Sequence, residues 1–129
     1  MESLNRLPGA SLLAMGAVGI ASHQSWVGKA YPGLFLIDDW IHIGLYFVIT
    51  CLLIKAFSQS DFLILRKYPL LIAASFAFTF GVLDEFHQSF VPNRSASLDD
   101  VVSNAIGITI AVSLFLIQRA IQSKQIIKP

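Results

Sequence analysis

The side chains capable of acid–base or ligand chemistry fall into three short patterns along the 129-residue chain. Asp39, His42 and Tyr46 stand at i, i+3 and i+7, and Gly81, Glu85 and Gln88 at i, i+4 and i+7. Asp100, Asn104, Gly107 and Ala111 follow at i, i+4, i+7 and i+11. On a helix each set shares one face, so three faces can bring acids, an imidazole, amides and a phenol together above small residues. Glu85 or His42 would then serve as general acid or base, with Asp39 and Asp100 orienting the imidazole or holding a metal. Arg94 suits a phosphate or carboxylate, and Gln88, Asn104, Tyr46 and Ser97 offer neutral polar contacts. No nucleophile motif and no close-spaced metal-ligand pattern is present, so the spacing calls for no metal and no cofactor. The single cysteine, Cys51, excludes an internal disulfide framework and reads as a small core residue.

These faces must be carried by elements suited to an unusually apolar chain. Hydrophobic residues make up 55% and charged residues 13%, against roughly a quarter charged in an ordinary soluble domain. The charges are blocked: residues 7–28, 40–54, 68–83 and 101–118 contain no Lys, Arg, Asp or Glu. A bilayer core takes roughly 20 helical residues, so the first and last runs span easily. The middle two must extend into their charged flanks. LLIAASFAFTFGVL (70–83) and IGITIAVSLFLI (106–117) show no polar stripe of the kind a water-facing helix needs. The expected fold is an all-α polytopic membrane protein, one domain over 1–129 forming a four-helix transmembrane bundle with short connections. The N-terminal run also resembles a secretory signal, with Arg6, an apolar stretch and Gly19-Ile20-Ala21. Its continuation through Trp26 and Val27 favours a span.

Four crossings put Arg6, Lys55, Arg66, Lys67, Arg119, Lys124 and Lys128 on one side and only Lys29 and Arg94 on the other. By the positive-inside rule both termini are expected in the cytoplasm of a bacterial inner membrane. Asp38, Asp39, Asp84, Glu85, Asp99 and Asp100 then face outward, with Trp26, Tyr31 and Trp40 in the outer aromatic belt and Tyr68 in the inner one. Pro69 suits the first turn of the third helix, and Pro92 should stop its continuation. Val91-Pro92-Asn93-Arg94 reads as a tight turn. Ser97-Leu98-Asp99-Asp100 reads as a capping box opening the fourth helix, Ser97 capping and Asp100 reaching back. A formal charge of +1 without a basic cluster excludes a nucleic-acid partner.

Plainer roles compete with the chemical ones. Asp99, Asp100 and Ser97 suit a helix N-terminus on capping and dipole grounds alone, as do Asp38 and Asp39 before the second helix. Glu85 is different, because an acid near a helix C-terminus is disfavoured by the dipole. That misplacement singles it out, although an ion pair with Arg94 would also account for it. Asn104 suits an interhelical hydrogen bond. His87 lies on another face from Glu85 and ranks below His42.

Asp84-Glu85-Phe86-His87-Gln88-Ser89-Phe90-Val91-Pro92-Asn93-Arg94, followed by Ser97, Asp100, Asn104 and Gly107, resembles the signature of the VanZ-like family of small bacterial membrane proteins. Asp39-x-x-His42-x-x-x-Tyr46 is similar to that family's second-helix motif, and the likeness runs from about Asp39 to Gly107. Trp40 stands where the family often has lysine, and Asn93 where it often has glycine. The resemblance implies a multi-spanning envelope protein, linked in the family's namesake to reduced susceptibility to the glycopeptide teicoplanin. It implies no established reaction. Three functions follow: a site for a membrane lipid or lipid-linked cell-wall intermediate, an intramembrane hydrolase or transferase acting on a phosphate- or acyl-containing lipid, or a proton-linked carrier. Short spans without mid-membrane charge count against the carrier.

Overall fold

The computed structural model describes Leu13, Met15, Gly16, residues 35–92 and residues 97–126. Among the described residues Leu13, Met15 and Gly16 are helical, and the helices described along their length are α1 (Phe35–Ser58), α2 (Leu63–Lys67), α3 (Pro69–Gln88) and α4 (Leu98–Ile126). The two short apolar runs do extend into their flanks. α1 already includes Asp38 and Asp39, which therefore lie within the helix rather than ahead of it, and α3 continues past Asp84 and Glu85 to Gln88. Twenty residues rise about 30 Å, the thickness of a hydrocarbon core. Three helices are long and apolar enough to cross a membrane, over Asp39–Ser58, Pro69–Gln88 and Leu98–Lys124. The expected first span, 7–28, falls almost entirely outside the described residues. Within it, Met15 is buried in the same core as Tyr46, Ile49 and Ala77.

The interior of this bundle mixes small and polar side chains with large apolar ones such as Tyr46, Ile49 and Ile54, while many other large apolar side chains point outward. Ala73, Ala77, Gly81 and Gln88 are buried along α3, as are Thr50 on α1 and Ala111 on α4. Val48, Phe76 and Leu114 are exposed near the middle of their helices. Large apolar side chains facing outward at mid-helix suit helices whose outer solvent is hydrocarbon, where close approach of small residues aids helix packing. α1 and α4 make the most extensive contact and run parallel, with α3 antiparallel to both. Gly107 sets their spacing: a Cβ there would meet the Ile43 carbonyl oxygen and lie 3.0 Å from the Phe47 nitrogen.

The connection after α1, expected only to be short, has regular structure of its own. It contains the one-turn helix α2, entered by a Phe62 N–H donated to Ser60 Oγ at 3.2 Å. Phe62, Leu63 and Ile64 are exposed beside Arg66 and Lys67, and the Lys67 ammonium lies 5.2 Å from the Tyr68 ring centroid. Too short to span, the segment has the mix of apolar and basic side chains that suits a membrane surface. Pro69 opens α3 as expected, where its missing N–H has no intrahelical partner to lose. α3 ends before Pro92, with the Phe90 and Val91 amides donating to the carbonyls of His87 and Gln88.

Candidate functional site

The N-terminal halves of α1 and α4 and the C-terminal end of α3 meet at one end of the bundle, and all three polar stripes turn inward there. His42, Asp84, Glu85, Gln88, Ser103 and Asn104 are buried, and Asp39 and Asp100 are half-buried. His42 Nδ1 donates to Asn104 Oδ1 at 2.9 Å. Because a carbonyl oxygen can only accept, this bond calls for the imidazole proton on Nδ1, and in the neutral imidazole Nε2 then carries the lone pair. One step toward the helix start, Ser103 Oγ donates to Asp39 Oδ1 at 3.0 Å. Two polar rungs thus join α1 to α4 above the Gly107 crossing.

Glu85 resolves its own misplacement by reaching across to the next helix. Its Oε2 accepts the Ser97 N–H at 3.2 Å, while Ser97 Oγ accepts the Asp99 N–H at 3.2 Å as the cap of α4. An acid at the unfavourable end of α3 therefore sits against the favourable N-terminus of α4. The sequence assigned the reach back to Ser97 to Asp100; Glu85 occupies that position instead. Asp100 joins a different grouping, in which one donor atom each from His42, Glu85 and Asp100 lie within 4.8 Å of one another. The structure thus brings Glu85 and His42 close together at this end of the bundle.

Three buried polar atoms here have no hydrogen-bond partner among the described residues: Tyr46 Oη, Glu85 Oε1 and Asn104 Nδ2. Tyr46 and Asn104 converge over Gly81, whose added Cβ would lie 3.1 Å from Asn104 Nδ2 and 3.1 Å from Tyr46 Cε1. An unpaired buried polar group costs about 1–3 kcal/mol, so three at one end of a bundle mark a place built for something besides packing. Asp84 and Ser103 carry no role in the sequence reading. Asp84 Oδ2 accepts from Gln88 Nε2 at 2.9 Å, a pairing visible in their i, i+4 spacing; Ser103 is visible only as the neighbour of Asn104. His87 is exposed, consistent with its lower rank. Arg94 and Asn93 lie outside the described residues.

A family model described as VanZ/LLP1 matches residues 43–119, more than half of the chain. The chain belongs to the VanZ/LLP1 family. The match takes in Tyr46, α3 and its polar end, Ser97, and α4 as far as Arg119 with Gly107 included, whereas Asp39 and His42 lie just ahead of it. No curated protein and no solved structure matches the chain. Membership in the VanZ/LLP1 family and three helices long and apolar enough to cross a bilayer agree in pointing to a membrane protein.

Proposed function

We propose that this VanZ/LLP1 protein spans the bacterial cytoplasmic membrane with both termini inside, and that its polar end binds a lipid-linked or phospholipid-like envelope molecule at the outer face. The observation that carries the reading is the set of unpartnered buried atoms, Glu85 Oε1, Tyr46 Oη and Asn104 Nδ2, gathered at one end of a helix bundle. That end is where a headgroup sits, and the lone pairs and donors match a phosphate or sugar hydroxyl. The basic residues of the described helices, Lys55, Arg66, Lys67, Arg119 and Lys124, lie toward the opposite end, which supports the orientation. Occupying a wall intermediate at this surface would lower susceptibility to a glycopeptide such as teicoplanin. In this reading Arg94, Gln88, Asn104, Tyr46 and Ser97 contact the ligand, and His42, Glu85, Asp39 and Asp100 set its protonation and orientation.

A second reading, an intramembrane hydrolase or transferase acting on a phosphate- or acyl-containing lipid, is favoured by His42 standing beside Glu85 with its tautomer fixed by Asn104. Mass spectrometry of lipid retained by the purified protein separates the two. Wild type should carry a phosphate-containing lipid, and Tyr46→Phe should lower its retention about tenfold. The same change should leave thermal stability equal or slightly raised, because it removes an unpaired hydroxyl. Glu85→Gln should also release the lipid if the site only binds, and should accumulate it if Glu85 does chemistry. Equal, nonselective lipid in wild type and both variants contradicts both readings.

A further inference from the structure

We infer that His42, Glu85 and Asp100 hold a divalent transition-metal ion, one ligand from each of the three long helices. Their donor atoms lie within 4.8 Å of one another. Two donors each about 2.1 Å from one ion are at most about 4.2 Å apart. The widest pair therefore needs to close by roughly half an ångström, within the reach of a glutamate or aspartate side-chain torsion. An acidic cluster alone would say little, but two further observations point to a cation. Glu85 is 4% exposed, and its Oε1 has no hydrogen-bond partner among the described residues although its other oxygen is engaged by Ser97. Asn104 Oδ1 accepts from His42 Nδ1, which in the neutral imidazole leaves Nε2 as the ligand nitrogen; a hydrogen-bond acceptor on the other ring nitrogen is the usual outer shell of a metal-bound histidine.

An imidazole with two carboxylates is a borderline donor set, suited to Zn2+ or Mn2+ and poorly suited to Mg2+, which prefers oxygen and water. Three protein ligands leave a coordination position open, the arrangement of a site that handles an exchangeable ligand. Placing a phosphate oxygen at that position rests on the lipid reading above, whereas the ion site itself does not.

The test uses metal alone. Detergent-purified, metal-stripped protein should bind one Zn2+ per chain by calorimetry, and His42→Gln and Asp100→Asn should each weaken binding at least about tenfold. Asn104→Ala, which removes only the support of the histidine, should weaken it roughly 10–100-fold. Asp99→Asn, an exposed acid at the same end, should bind like wild type. Because a ligand variant could fail to fold, Mn2+ is also added to wild type and its pulsed electron paramagnetic resonance recorded; modulation from one directly bound imidazole nitrogen is expected. A hexaaqua Mn2+ spectrum, Zn2+ binding unchanged in Asp100→Asn, or binding that appears only after Arg94→Ala would overturn the assignment. Loss of Zn2+ binding with lipid retention intact would leave the lipid reading standing, and the reverse would leave the metal site standing.

Discussion

Gly107→Ala should lower the stability of the purified protein by about 3 kcal/mol, at the upper end of the range for overpacking. The new methyl group would face backbone rather than flexible side chains: the Ile43 carbonyl oxygen, its carbon at 3.1 Å and the Phe47 nitrogen at 3.0 Å. Backbone on a neighbouring helix cannot rotate away, so α1 and α4 must separate. The polar rungs between His42 and Asn104 and between Asp39 and Ser103 would lengthen with them. Gly44→Ala supplies the contrast. Nothing lies within 4 Å of the Cβ position there, so the change should be neutral or stabilising by up to about 1 kcal/mol through helix propensity. Thermal melts in detergent check both; equal effects at the two glycines would mean that α1 and α4 do not cross at Gly107.

The second large effect concerns the buried histidine–asparagine pair. Asn104→Leu should cost about 2 kcal/mol, because it leaves the His42 Nδ1 proton inside the bundle without its acceptor. His42→Leu should cost a similar amount by stranding the amide oxygen. The double variant should recover part of that loss, since replacing both partners with apolar groups removes the unpaired atoms along with the bond. The resulting coupling of about 1–2 kcal/mol is measurable as a double-mutant cycle in denaturant or thermal unfolding. Strict additivity would show that the two side chains do not interact. The pair is thus expected to favour function through histidine orientation more than it favours stability.

Much of this arrangement is legible in the residue spacing. Stripes beginning at Asp39, Gly81 and Asp100 identify the inward faces of three helices, and Gly107 marks their close approach. They also rank buried His42 above exposed His87. Spacing fixes a face but not which rung stands opposite which. Helix rotation and relative height decide that Asn104 meets His42, that Ser103 meets Asp39, and that Glu85 rather than Asp100 takes the Ser97 amide. For the same reason the His42, Glu85 and Asp100 grouping has no linear signature: its members come from three helices separated by up to half the chain. α2 is hidden for another reason, since five residues with mixed apolar and basic character give no periodic signal long enough to read.

The account turns on the polar end of the bundle opening toward the cell envelope. In a Cys51→Ser background, single cysteines at Phe90, beside the polar end, and at Ser123, at the opposite end, can be treated in intact cells with a membrane-impermeant maleimide. Both positions are exposed. The cysteine at position 90 should be labelled in intact cells, and that at 123 only after the membrane is permeabilised. Labelling of 123 and protection of 90 in intact cells would place the acids and His42 on the cytoplasmic side and contradict an envelope-facing site.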